Sequence, residues 1–134
     1  MRLTLFLAIL APAAALAAQP AADPLEGTWR GPSQCQYRPS ACRDEIAVYH
    51  ITRATQPHQY LMVMNKVIGG EEQTMGDLVG TFDAASRTLT ATSYDRQKRP
   101  GHWTLVLHGD QLSGRLVTSD GRLFRLIALS RIRS

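Results

Sequence analysis

The chain has 134 residues and a formal net charge of +4, and 44% of its residues are hydrophobic. This length and composition predict one small globular domain. The positive charge is small and scattered, and its one cluster, "RQKR" at Arg96–Arg99, lies in a predicted turn before Pro100. A nucleic-acid surface is usually a denser basic patch with interleaved aromatic residues, so we expect no nucleic-acid binding.

The first predicted element is a secretory signal peptide at residues 1–17. A short basic start is followed by an almost wholly apolar run at residues 3–10, and Ala15 and Ala17 are small residues where a signal peptidase reads the chain. The apolar stretch is short and interrupted by Pro12, so it is marginal for spanning a bilayer. We expect no membrane anchor after cleavage, and a protein that is periplasmic or secreted.

Residues 18–24 are predicted to form a flexible leader, and residues 25–134 a single domain. Near its start lie Cys35 and Cys42, in "CQYRPSAC". An exported chain meets an oxidising compartment, so this pair is predicted to form a structural disulfide. A redox pair usually has the closer C-x-x-C spacing, and no nearby histidine pair joins these cysteines to make a metal site.

The domain is then predicted to consist of eight strands. Each is rich in β-branched or aromatic residues or alternates in polarity, and turn signals recur roughly every 8–12 residues, which is typical of an antiparallel sandwich or barrel. No convincing amphipathic helix is present. The predicted strands are residues 27–31, 45–52, 60–68, 72–82, 88–94, 102–107, 112–117 and 122–129.

The turn Gly109-Asp110 sets the register of two strands. As a two-residue hairpin loop it pairs Leu107 with Leu112 and Trp103 with Leu116. Cross-strand partners share a face of the sheet, so these side chains are predicted to form one apolar inner face.

The last turn, Asp120-Gly121, leaves two registers open. A two-residue loop turns alternate residues of the last strand inward, namely Leu123, Arg125, Ile127 and Leu129. A slip of one residue would instead bury Phe124, Leu126 and Ala128 and leave Arg125 on the surface. The first register is favoured because Asp-Gly is a preferred two-residue turn.

The stretch "PLEGTWRG", with Gly27-Thr28-Trp29, precedes eight predicted strands and a basic residue in the last one. This combination resembles the calycin group, which comprises lipocalins, fatty-acid-binding proteins and avidins, and most resembles small exported bacterial lipocalin-like proteins. The resemblance implies an all-β, up-and-down antiparallel barrel. It also implies that Trp29 closes one end, with Arg125, or Arg131 as a second candidate, packed on its ring.

A barrel of eight strands either fills itself with side chains or holds one small ligand. A Gly69-Gly70 hairpin would pair Met64 with Met75 and Met62 with Asp77, which would make a deformable wall. The candidate ligand-binding residues are Arg125, Met62, Met64, Met75, Asp77 and Trp103. Two alternatives stay open: the methionines are ordinary core, or they face outward and the core is formed by Leu61, Val63, Leu78 and Phe82.

Catalysis has little support in the sequence. Most acids lie in predicted turns, and Asp44 and Glu45 are strand neighbours that point to opposite faces, so they make a poor acid–base pair. The four histidines lack metal-ligand spacing, and no nucleophile elbow or nucleotide-binding loop is present. We expect no catalytic residues, metal or cofactor. The predicted function is binding of a small apolar or acidic amphiphilic ligand, and the alternative is a secreted protein-binding module such as a hydrolase inhibitor.

Overall fold

The predicted strands form in a computed structural model of the chain, which describes residues 11–16, 22–38 and 40–133. Most of the predicted signal peptide, at residues 1–10 and 17, lies outside these ranges. Within them no helix forms, and hence none that could cross a membrane. The strands are β1 (Gly27–Cys35), β2 (Glu45–Arg53), β3 (Gln59–Ile68), β4 (Glu71–Asp83), β5 (Thr88–Tyr94), β6 (Pro100–His108), β7 (Gln111–Thr118) and β8 (Leu123–Ile132).

Each strand pairs antiparallel with the next, and β8 pairs with β1, so the sheet closes into an eight-stranded up-and-down barrel. The predicted fold class is therefore confirmed. Alternation of side chains along each strand sends one set inward. Large inward side chains fill much of the interior and are fully buried, among them Trp29, Tyr49, Ile51, Met62, Leu89, Leu105, Leu107, Leu112 and Leu129.

The connections alternate between the two ends of the barrel because consecutive strands run in opposite directions. One end, here called the closed end, carries the N-terminal leader, the end of β8 and the β2–β3, β4–β5 and β6–β7 turns. The other, here called the open end, carries the β1–β2, β3–β4, β5–β6 and β7–β8 connections. Side chains at each end therefore come from distant parts of the sequence.

The register predicted for β6 and β7 is confirmed, with Leu107 opposite Leu112 and Trp103 opposite Leu116. The favoured register of the last hairpin is also confirmed for most of its length, up to the pair of Leu116 with Arg125. One detail was wrong: the ladder shifts between Leu116 and Val117, so Leu123 pairs with Val117 and is 36% exposed rather than inward.

The slipped alternative for the last strand was also wrong. Ile127 and Leu129 are buried, whereas Leu126 is 41% exposed and Ala128 lies on the outside. The register shift is confined to the β-bulge between Leu116 and Val117, close to the turn. From Arg125 onward, the inward-facing residues of β8 are therefore those that a two-residue turn predicts.

The β3–β4 hairpin corrects the predicted methionine pairs. The register runs as predicted from the glycine turn to Asn65 and Thr74, then shifts by one residue, so Met64 pairs with Gly76 and Met62 with Leu78. Met75 is the extra residue of this bulge.

Because of this extra residue, the side chains of β4 from Met75 onward point to the side of the sheet opposite to the one that an uninterrupted register predicts. Met62 and Met64 are buried with Phe82 and the partly buried Leu78, whereas Met75 and Asp77 are exposed. The outward-facing alternative for Met62 and Met64 was therefore wrong as well, because Leu61 and Val63 are only partly buried on the outer wall.

Candidate functional site

The closed end is sealed by the segment just before β1. The carboxylate of Asp23 accepts hydrogen bonds from the Leu25 amide at 2.8 Å and the Tyr60 hydroxyl at 2.9 Å, and it lies 2.6 Å from an Arg53 nitrogen. Its side chain is 8% exposed. Asp23, assigned to the flexible leader from the sequence, is thus held against the barrel and brings Leu25 into the core.

Trp29 lies beneath this segment and is fully buried. Its Nε1 donates to the Leu25 carbonyl at 2.9 Å, so its one polar group is satisfied. The guanidinium of Arg131 lies over the indole, 4.2 Å from the ring centre, and donates to the Pro24 and Glu26 carbonyls. The second candidate, Arg131, therefore packs on Trp29 in place of Arg125.

Arg125 does point inward, but towards the open end, and its partners are different. Its side chain is 13% exposed, donates to the Ser33 backbone and hydroxyl oxygens at 3.1 Å and to the Arg43 carbonyl at 3.0 Å, and lies 3.5 Å from Glu45. A guanidinium with this many partners is satisfied without a ligand. Glu45 was not among the partners that the sequence suggested.

Nearby, Tyr49 packs edge-on against Trp103, with ring centres 6.4 Å apart. Burial, and then the negative charge of Glu45, raises the pKa of the Tyr49 hydroxyl well above its usual range, although Arg125 opposes the shift. Tyr49 is therefore neutral across the physiological pH range.

The six candidate ligand-binding residues do not meet in one site. Met62 and Met64 belong to the core, and Met75 and Asp77 lie exposed on β4. Trp103 is 8% exposed and donates from Nε1 to Ser93 at 2.9 Å. None of the six lines the cavity described next.

The open end holds a cavity of about 800 Å³, here called the mouth cavity. It lies between the β1–β2, β5–β6 and β7–β8 connections. Its aromatic walls are Tyr37, Tyr94 and Phe124, and inward-facing residues near the rim, including Ser93, Gly101 and Leu116, also line it. Three connections distant in sequence thus form one concave surface.

Three arginines also line the mouth cavity, and they differ in what they contact. Arg99 is paired with Asp95 at 2.7 Å. Arg122 lies over the Tyr37 ring, 4.1 Å from its centre, and 3.8 Å from Asp120. Within the described residues Arg96 forms no ion pair, so Arg96 and Arg122 are the cations most available to an anion.

The disulfide between Cys35 and Cys42 is confirmed, with Cα atoms 5.8 Å apart. It restrains the β1–β2 connection, which supplies one wall of the mouth cavity. Asp44 braces the same connection by accepting from the Cys35 amide at 2.8 Å and from Arg38 at 2.7 Å. The bond also indicates an oxidising, non-cytoplasmic compartment.

A polar network lies on the outer wall across β1 to β4. Thr28 is 3.2 Å from His50 Nδ1, His50 Nε2 is 2.7 Å from Glu72, and Glu72 accepts from Asn65 at 3.0 Å. The hydrogen bonds from Asn65 and then His50 lower the pKa of the Glu72 carboxyl. The part of the chain described by the structure contains no group of three or more His, Cys, Asp or Glu side chains that could hold a metal ion.

Comparison with protein-family models, with curated proteins and with solved structures finds no significant match to this chain. The fold itself, a closed eight-stranded antiparallel up-and-down barrel, is consistent with a calycin-like fold.

Sequence reasoning missed the mouth cavity because its residues lie in connections and at the ends of strands, where alternation of polarity gives no signal. From the sequence, "RQKR" is expected in a turn, and Phe124 is expected in the core only in the slipped register of the last strand. A usable signal was present: in an up-and-down barrel the first, fifth and seventh connections share one end. Strand order alone therefore places Tyr37, Arg96 and Arg122 at the same end of the barrel.

Proposed function

We propose that the protein is an exported, non-catalytic, lipocalin-like barrel that binds a small acidic amphiphile in the mouth cavity. The observation that carries this proposal is a cavity of about 800 Å³ that combines three aromatic side chains with Arg96 and Arg122. Ligand sites typically measure roughly 300–1,000 Å³ and combine apolar walls with a few polar groups. The oxidising compartment and the predicted signal peptide support a periplasmic or secreted location.

The chemistry of the walls favours an anionic ligand with a flat apolar body. Tyr37, Tyr94 and Phe124 offer rings for stacking, and guanidinium groups recognise carboxylates or sulfonates through paired hydrogen bonds. Fully buried side chains fill the barrel towards the closed end. The ligand is therefore expected to lie at the rim, with its acidic group at Arg96 and Arg122, rather than deep in the barrel.

Fluorescence titration with the flat, anionic aromatic probe 1-anilinonaphthalene-8-sulfonate tests this site. The double variant Arg96→Gln with Arg122→Gln should bind the probe about tenfold or more weakly, because hydrogen bonds to charged groups contribute roughly 1.5–3 kcal/mol each. Arg115→Gln is the matched control, since Arg115 is exposed and does not line the cavity. Unchanged binding in the double variant would place the site elsewhere.

The alternative function, a secreted protein-binding module such as a hydrolase inhibitor, is supported by the braced β1–β2 connection. Its disulfide, together with the Arg38–Asp44 ion pair at 2.7 Å, restrains an exposed segment of the kind that enters a partner's cleft. Native mass spectrometry of the protein purified from its own compartment separates the two functions. A small molecule that co-purifies supports the first, and a bound protein supports the second.

A further inference from the structure

Strand β4 is much longer than the strand it pairs with on one side. It has 13 residues and β5 has 7, and their ladder contains four pairs, from Gly80 opposite Ala91 to Asp83 opposite Thr88. Continuing that register brings Asp77 level with Tyr94, the last residue of β5. The segment Glu71–Gly76 therefore runs past the end of β5, for about 20 Å at the usual rise per residue.

That segment, here called the β4 edge, pairs with β3 on one side and, among the residues that the structure describes, with no strand on the other. Ile68 and Glu71 close a two-residue loop whose glycines both have positive φ, at 59° and 81°, so they form a hydrogen-bonded pair with β3. Pairs alternate along an antiparallel ladder, so the N–H and C=O groups of Glu72 and Thr74 point away from β3. These are the groups that an added strand would use.

The charge of this region is opposite to that of the whole chain. The net charge of the protein is +4, yet the hairpin Gln59–Asp83 has four acidic residues and one lysine. Every residue of Glu71–Met75 is exposed. Pairing the edge with the same edge of a second copy would bring its acids together, which is unfavourable, whereas a basic strand would be attracted.

We propose that the β4 edge is a docking site for an extended, basic strand supplied by a protein partner, which adds to the sheet beside β4. Backbone hydrogen bonds at Glu72 and Thr74 supply the pairing, and Glu71 and Asp77 supply the charge selection. The bulge at Met75 limits the pairing to the Glu71–Thr74 half of the edge, because it disrupts the regular spacing there.

The test uses a short fluorescein-labelled peptide of alternating lysine and threonine, measured by fluorescence anisotropy with the full mature protein. Thr74→Pro removes one outward N–H without removing a β3 ladder bond, and it should weaken binding about tenfold. Thr74→Ala keeps that N–H and should bind as the wild type does. Glu71→Lys with Asp77→Lys should also weaken binding, because these substitutions keep the backbone of the edge but reverse the net charge of the hairpin Gln59–Asp83.

Three controls make the outcome decisive. Circular dichroism and the melting temperature verify that the Thr74→Pro variant still folds into the barrel. A second peptide, with prolines in place of its threonines, keeps the charge but lacks those backbone N–H donors. Strand addition requires that the proline peptide bind at least about tenfold more weakly than the threonine peptide. Equal binding of the two peptides, equal binding by Thr74→Pro, or no binding by the wild type at low salt would each overturn the proposal.

Discussion

The two ends of the barrel differ in how their polar groups are used. At the closed end, Asp23, the Trp29 indole and Arg131 all contact other groups of the chain, and the interior below them is filled. At the open end Arg96 forms no ion pair within the described residues, and Tyr94 is 68% exposed beside a large cavity. One end thus stabilises the fold, and the other leaves groups available for recognition, so substitutions at the two ends should have different effects.

The largest effect is expected at the closed end. Trp29→Ala removes a fully buried indole and should lower the free energy of unfolding by roughly 3–5 kcal/mol, the usual range for emptying a large aromatic site. Urea unfolding measures this. A loss below about 1 kcal/mol would show that Trp29 does not seal the barrel.

The disulfide at the open end is expected to contribute less to stability and more to binding. Replacing Cys35 and Cys42 with alanine should lower the free energy of unfolding by about 2–3 kcal/mol, because a short closed loop is released in the unfolded chain. Probe binding in the mouth cavity should weaken as well, since the β1–β2 connection lines it. Two free thiols in the unreduced native protein would contradict the bond itself.

Arg125 lies at the open end, but it contacts other groups of the chain, as the polar groups of the closed end do. Its substitution therefore tests whether it stabilises the fold or binds the ligand. Arg125→Met leaves Glu45, whose side chain is 14% exposed, without its guanidinium partner and should cost about 2 kcal/mol, between surface and buried ion pairs. Adding Glu45→Gln should recover part of this loss in a double-mutant cycle. Probe binding should stay unchanged because Arg125 does not line the mouth cavity, and a loss of binding with full stability would reassign it to the ligand.

The smallest effect is a dependence on pH at the closed end. Burial raises the pKa of the Asp23 carboxyl, but hydrogen bonds from the Leu25 and Glu26 amides and from Tyr60, together with Arg53, leave it lower overall. A lowered folded-state pKa stabilises the protein above the unfolded value of about 3.9, and this stability is lost as pH falls through the folded value.

Urea midpoints measured between about pH 6 and pH 3 check this contribution against Asp23→Asn. The variant should be less stable than the wild type at the higher pH, and the difference should shrink on acidification. A difference that does not change with pH would mean that Asp23 acts through packing alone.

The sequence predicted the barrel well because its evidence is local. Alternation of polarity and two-residue turns specify strands and their neighbours, and the pairs Leu107–Leu112 and Leu116–Arg125 follow directly from turn length. It failed at the bulge residue Met75, because one inserted residue leaves the polarity pattern on either side intact. It also failed to pair Arg125 with Glu45, since that contact joins strands that begin and end far apart in the chain.

The candidate site was less predictable for a related reason. The arginines and Tyr37 of the mouth cavity lie in connections, whose side chains follow no period, and Tyr94 and Phe124 lie at strand ends. Of the six residues proposed from strand patterns, five lie in the core or on the outer wall, and Arg125 is held by Glu45 at the open end. Strand order predicts at which end of the barrel each connection lies. It does not predict the conformation that places the Arg122 guanidinium over the Tyr37 ring.

The pairing of β1 with β8 has a consequence for how the chain folds. Seven of the eight strand pairings join neighbours in sequence, whereas this one joins Thr28 to Ile132. Hairpins can form early because their loops are short, but the ring closes by bringing together the two ends of the domain, which is slow and entropically costly. Trp29 and Arg131 are cross-strand partners on this last seam, so their stacking helps to hold the ring shut once it has closed.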